Sequence, residues 1–358
     1  MEGKMGLLLL AAVCWVALFS QTASARARVP AIYVFGDSTA DVGNNNYLPG
    51  DTAKANFPHN GIDYPQHKPT GRFSNGYNGI DYFAKKLGFD KSPPAYLSIT
   101  SDSRTFKGVN FASGGSGILD VTGQNFSISM NTQIEHFGGV VRRLHRRLGA
   151  PAADVFLSKS LFILSTGNND MFGLFFRFGV PNRTQAIQLT GLLASQFRAQ
   201  LQALYKLGAR KFAVVGSSHI GCIPLLRNLS LSGDCVEALN TLSQMFNQAT
   251  KLLLHDLAST SNGMAYSFLD SYEVLSDITS QPSKYGFKEL QSACCGTGRF
   301  NAQTGCLPNA TYCSNRRDHL FWDRVHPTQA TYRVVAGIGY HGGPKFTVPM
   351  NMGQLVGS

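Results

Sequence analysis

Five short apolar runs, at residues 31–36, 109–112, 161–165, 211–216 and 265–269, alternate along this 358-residue chain with longer stretches of helical periodicity. The runs mostly lack polar alternation, so they read as strands buried on both faces, the habit of parallel strands. Helical patterns fill the intervals at 78–87, 134–148, 185–207 and 236–258, each ending near Gly, Ser or Asn. Repeated βαβ units of this kind predict an α/β three-layer sandwich with right-handed crossovers. No internal repeat, low-complexity tract or linker divides the chain. The 43% hydrophobic and 15% charged content excludes a disordered chain and a multi-span membrane protein.

The first residues read differently. Lys4 precedes an apolar run at 5–19, and the small residues Thr22-Ala23-Ser24-Ala25 follow before Arg26. This is the three-part pattern of a secretory signal peptide, with cleavage expected after Ala25 and Ala27 as second choice. The run is shorter than the ~20 residues that span a bilayer. The expected organisation is therefore a signal peptide at 1–25 and one domain at 26–358, with no transmembrane segment. The expected destination is the secretory pathway, extracellular or cell wall; the Gly357-Ser358 ending makes retention in the endoplasmic reticulum the exception.

Loss of the leader removes Cys14 and leaves Cys222, Cys235, Cys294, Cys295, Cys306 and Cys313, an even set for which disulfides are expected. Cys222 with Cys235 would close one local loop, and the other four would pair among themselves. Zinc is the rival for that second group, but adjacent Cys294 and Cys295 lack the C-x-x-C spacing. Acceptor sequons at Asn125, Asn182, Asn228 and Asn309 agree with secretion. The formal charge of +11, with pI near 9.4, implies attraction to polyanions. Nucleic acid does not fit the extracellular destination. Arg142-Arg143-Leu144-His145-Arg146-Arg147 is the densest basic patch, either a solvated helix face or a site of adsorption to acidic cell-wall polysaccharide or anionic lipid.

In an open parallel sheet the ligand crevice lies beyond the carboxyl ends of the strands. The first run exits into Phe35-Gly36-Asp37-Ser38-Thr39-Ala40-Asp41-Val42-Gly43-Asn44-Asn45-Asn46, which offers Ser38 as a nucleophile or as an ordinary helix cap. The second exits through Phe111-Ala112-Ser113-Gly114-Gly115-Ser116-Gly117, whose backbone N–H groups suit an oxyanion or a phosphate, or form a plain tight turn. Neither nucleotide-binding glycine pattern is present there. The third exits into Ser165-Thr166-Gly167-Asn168-Asn169-Asp170, carboxamides that can donate to a developing oxyanion or close an Asx-turn. Near the C-terminus, Asp323 stands three residues before His326, and Pro327 is placed to open a helix.

Together these segments supply a nucleophile, a base, an orienting carboxylate and oxyanion donors, the parts of a Ser-His-Asp hydrolase. The same segments, with Arg72-Phe73-Ser74-Asn75-Gly76, Gly108 to Gly115, and Ala293-Cys294-Cys295-Gly296, resemble the GDSL (SGNH) lipase and esterase family, closely its plant branch. Thr39 stands where the family name implies leucine. The resemblance implies a flavodoxin-like sheet of five parallel strands in order 2-1-3-4-5. It also implies Ser38 as nucleophile and His326 as base oriented by Asp323. The oxyanion hole would be built from the Ser38 N–H, Gly114 and Asn169, with Gly115 the neighbouring alternative to Gly114. An activated serine requires no cofactor and no metal. The expected substrate is an acyl ester, lipid-like if the aromatic stretch 171–178 lines an acyl groove. The alternatives are a transacylase or deacetylase acting on cutin or cell-wall polysaccharide esters, and a secreted binder without catalysis.

Overall fold

The computed structural model describes residues 27–100 and 107–358; the signal-peptide reading of 1–25 lies outside the described residues. The strands are β1 (Ile32–Gly36), β2 (Gly108–Asn110), β3 (Leu161–Ser165), β4 (Lys211–Val215), β5 (Ala265–Leu269), β6 (Glu289–Ala293), β7 (Cys295–Gly296), β8 (Thr311–Tyr312), β9 (His319–Phe321) and β10 (Thr347–Val348). The helices are α1 (Gly79–Lys86), α2 (Met130–Leu148), α3 (Ala150–Lys159), α4 (Asn168–Phe178), α5 (Arg183–Lys206), α6 (Pro224–Leu229), α7 (Glu237–Thr260), α8 (Ser271–Ser280), α9 (Pro282–Tyr285), α10 (Gln329–His341) and α11 (Met352–Gly357).

The five expected runs pair in parallel in the order β2-β1-β3-β4-β5, and β10 adds an antiparallel strand at the β5 edge. β2 is assigned one residue earlier than expected, yet Phe111 and Ser113 still donate to Val34 and Gly36, so the ladder continues into the glycine turn. Every residue of β1 is buried, and Tyr33, Phe35, Phe111, Phe137 and Phe162 stack around it. Helices α2, α5 and α7 pack together, as do α1, α10 and α11, which gives helices on both sides of the sheet. α2 starts at Met130 rather than 134 because Ser129 caps it through the Thr132 N–H. Among the described residues no helix is long and apolar enough to cross a membrane.

The cysteines pair as Cys222–Cys235, Cys294–Cys313 and Cys295–Cys306. The local loop and the C-terminal group are thus separate, and the sulfurs considered for zinc are joined to one another. Asn125, Asn182 and Asn309 are exposed, whereas Asn228 is half-buried within α6 rather than in a connecting loop.

Candidate active site

The site begins where β1 ends. Gly36 has φ +138°, and a Cβ there would run into the Ser165 carbonyl of the neighbouring strand, so glycine is required for the chain to turn. Gln133 on α2 clamps this point from both sides, donating to the Gly36 carbonyl and accepting from its N–H, each at 2.9 Å. The next turn closes on Asp37, whose carbonyl accepts from the Ala40 and Asp41 N–H groups. The Asp37 carboxylate takes the Thr39 N–H at 2.9 Å and its hydroxyl at 2.6 Å. Burial pushes the Asp37 carboxyl up to about 6.

Ser38 emerges half-buried from this turn, and no α-helix starts behind it. The two readings of its hydroxyl separate here, because Oγ meets His326 Nε2 at 2.8 Å instead of capping a backbone N–H. Asp41 holds the following segment, accepting from Gly43 and Asn44 at 2.7 Å each and from Gly114 at 3.1 Å.

The segment after β9 presents His326. His326 Nδ1 lies 2.8 Å and 3.0 Å from the two Asp323 oxygens, and Asp323 also accepts the His326 and Val325 backbone N–H groups. Burial raises the Asp323 carboxyl, but the His326 ring and these N–H groups outweigh it and leave the pKa below its ordinary value. A carboxylate at Nδ1 fixes the tautomer whose Nε2 can accept a proton from Ser38. Phe73 packs against the other side of the ring, 4.9 Å between centroids. The strand of chain carrying Phe73 is itself anchored. Arg72 makes a buried two-point ion pair with Asp81 at 2.7 Å and 2.8 Å, and Asn75 accepts the Gln329 N–H at 2.8 Å. The 72–76 motif, which had no role assignable from sequence, thus clamps the histidine loop.

Among the described residues the Ser38 N–H takes no acceptor. Asn169 sits at the first turn of α4 and lines the cavity that holds Ser38 and His326; one of its amide hydrogens goes to the Ser116 carbonyl at 2.9 Å, which leaves the other for a ligand. Gly114 is buried with its N–H directed at Asp41, and neither it nor Gly115 lines that cavity. Within the turn the Gly115 and Gly117 N–H groups take no partner among the described residues. Asp170 stands just behind and accepts from Ile118, Leu119 and Thr122, tying the glycine turn to α4.

With this geometry, a family model described as GDSL-like Lipase/Acylhydrolase matches residues 32–337. The chain belongs to the GDSL lipase/acylhydrolase family. A GDSL esterase/lipase of Arabidopsis thaliana is 40% identical over 342 residues, covering 92% of this chain and 90% of the relative. Two others from the same plant are 38% and 35% identical, each covering 92% of this chain and, respectively, 90% and 88% of their own length. The protein is an ester-bond hydrolase of that family, and its sheet is the family's fold.

Ser38, Asn169 and His326 line a cleft of about 370 Å³ along the carboxyl edge of the sheet. Its apolar wall includes Phe172, Ile220, Ile223, Leu275, Leu290 and Phe321. Of the aromatic stretch 171–178 only Phe172 lines it. Phe175 and Phe176 pack on each other at 5.4 Å, and Phe176 is exposed, because on a helix starting at Asn168 only the face bearing Asn169 and Phe172 turns to the cleft. The Cys222–Cys235 disulfide forms part of the wall. Cys222, Cys235 and Glu237 bring three potential metal donors together, but the two sulfurs are bonded to each other and offer no thiolate.

Proposed function

We propose that this protein is a secreted serine carboxylic-ester hydrolase acting through an acyl-enzyme on lipid or other long acyl esters. The observation that carries the mechanism is the continuous relay of 2.8 Å contacts from Ser38 Oγ to His326 Nε2 and from His326 Nδ1 to Asp323. In the first half-reaction His326 takes the Ser38 proton as Oγ bonds to the ester carbonyl carbon. Collapse of the tetrahedral adduct breaks the ester C–O bond, and His326 delivers the proton to the departing alcohol. Water then repeats the sequence, giving the free acid and restoring Ser38. The adduct's oxyanion is met by the Ser38 N–H and the free Asn169 amide hydrogen, whereas the Gly114 N–H is held by Asp41 and the Gly114-Gly115 turn lies outside the cavity.

The apolar cleft wall favours a long acyl chain over acetate. Three disulfides and exposed sequons at Asn125, Asn182 and Asn309 support a signal peptide at 1–25, a single domain at 26–358 and an extracellular or cell-wall location. Arg142, Arg146 and Arg147 are exposed on α2 while Leu144 is buried, a face suited to adsorption on acidic polysaccharide or anionic lipid.

The test is hydrolysis of p-nitrophenyl esters from acetate to palmitate by the secreted protein beside Ser38→Ala. Turnover that rises with chain length and vanishes in Ser38→Ala is expected. Equal activity in a folded Ser38→Ala protein would overturn the assignment, and activity confined to acetate would overturn the long-chain reading.

A further inference from the structure

A second cavity, of about 710 Å³, lies outside the cleft and shares no lining residue with it. It opens behind the loop that carries His326, where α1, α10 and the connection from β8 to β9 meet. Its floor is made of groups already bonded to one another. Asp63, the one acid that lines it, accepts from Arg316 at 2.6 Å and 2.9 Å and from Asn75 at 2.7 Å. Arg316 gives its other amino group to the Cys313 and Ser314 carbonyls at 3.3 Å and 3.4 Å, so its guanidinium is spent in holding that loop against Asp63. The neighbouring Asp318 is likewise engaged, by Asn315 and by His319, each at 2.8 Å.

The wall above that floor is different. Arg317 and Arg333 line the cavity and are exposed, and neither side chain makes an ion pair or a hydrogen bond among the described residues. Gln329 stands one turn before Arg333 on the same face of α10. Its Oε1 accepts the Tyr77 N–H at 3.1 Å, while its amide hydrogens take no acceptor among the described residues. The Tyr82 and Ser314 hydroxyls also line the cavity without a partner there. Burial pushes the Tyr82 phenol up to about 12, which keeps it a donor at neutral pH.

The cavity therefore holds two uncompensated guanidinium groups and three neutral donors around a carboxylate whose oxygens are both engaged. Ala330 is its single aliphatic lining residue, too little to hold an acyl chain. The matching ligand is anionic and rich in acceptors. Guanidinium forks suit carboxylate or phosphate, and amide and hydroxyl donors suit sugar hydroxyls. A carboxylated sugar presents both on one ring, whereas inorganic phosphate would use the cations and leave the neutral donors idle.

We propose that this cavity binds an acidic saccharide, its sugar carboxylate paired with Arg317 and Arg333 and its hydroxyls bonded to Gln329, Ser314 and Tyr82. The site goes beyond the esterase reading and does not depend on it. Because the floor is bonded before the ligand arrives, little ordering is needed to form it. Binding there leaves the cleft open, so the protein could be held on a uronate-bearing polysaccharide while its cleft stays free.

The experiment is calorimetric titration of Ser38→Ala protein with trigalacturonate, with its fully methyl-esterified, uncharged form and with inorganic phosphate. Trigalacturonate should bind at least about tenfold more tightly than either, and Arg317→Gln and Arg333→Gln should each weaken it about tenfold, the scale of one charge-assisted hydrogen bond, with thermal unfolding unchanged. A double variant carrying Arg142→Gln and Arg146→Gln on α2 should bind like its parent. Equal binding of the uncharged form, phosphate binding as tight as the uronate, or undiminished affinity in Arg317→Gln and Arg333→Gln overturns the proposal. Affinity lost only in the α2 variant also overturns it and moves the attachment to that helix. Ester hydrolysis by the wild-type protein is read separately. Its absence beside intact uronate binding fails the esterase reading and leaves the saccharide site standing.

Discussion

The two ends of the cleft are built by opposite means. At the catalytic end Ser38, His326 and Asp323 are polar, close-set and held by short hydrogen bonds at nearly every turn, with Gln133, Asp41 and Asn75 bonding the backbone around them. At the far end Phe172, Ile220, Ile223, Leu275 and Leu290 meet by packing, with Ser218, His219, Thr279 and Gln291 the polar groups among them. Directional bonds fix a reacting geometry, whereas apolar packing fixes only volume and shape. Substitutions at the first end should therefore change turnover by orders of magnitude, and those at the second should change preference by much less.

The largest effect is expected from Ser38→Ala and His326→Ala, each lowering kcat on the order of a million-fold, with Asp323→Asn about ten-thousand-fold, all read by steady-state ester hydrolysis. A folded His326→Ala protein within tenfold of wild type would remove the contrast between the ends. Asn169→Ala comes next, at about 100- to 1000-fold in kcat with KM little changed, the pattern of a group that acts on the transition state. A pure KM effect would move Asn169 from the oxyanion to substrate binding. Phe172→Ala should lower the palmitate-to-acetate ratio of kcat/KM about tenfold, whereas Phe175→Ala, outside the cleft, should leave it unchanged.

The smallest effect concerns stability. Asp37 rises from 3.8 to about 6 on folding through burial, so it favours the folded state below about pH 4, and that contribution is lost as pH rises through 6. Relative to wild type, Asp37→Asn protein should gain up to about 3 kcal/mol between pH 4 and pH 7, measured by urea unfolding at each pH. A constant difference across that range would show that the Thr39 bonds already offset the burial.

The same contrast governs what was legible in the sequence. β1 to β5 were readable because parallel strands are unbroken apolar runs, and the meeting of Ser38, His326 and Asp323 was readable because a serine in a strand-exit turn and an Asp three residues before a His are distinctive offsets. β10 was not: two residues, Thr347 and Val348, leave no periodic signal and pair only because β5 offers an edge. α3 was missed because its apolar positions form no clear stripe, although Pro151 marks a helix start. The cleft wall was hidden for a similar reason, since Leu275, Leu290 and Phe321 become neighbours only in three dimensions. Phe172 was within reach as the i+3 partner of Asn169 on one helix face. So was His219, because the strand-exit rule that leads to Ser38, Gly114 and Asn169 leads equally to the end of β4.

The most direct test of the central claim is to trap the acyl-enzyme. Wild-type protein exposed to a slowly deacylating p-nitrophenyl ester and quenched in acid should gain the mass of one acyl group, located by peptide mapping on Ser38. The adduct should be absent from Ser38→Ala. An adduct on another residue, or one that persists undiminished in Ser38→Ala, would contradict the account.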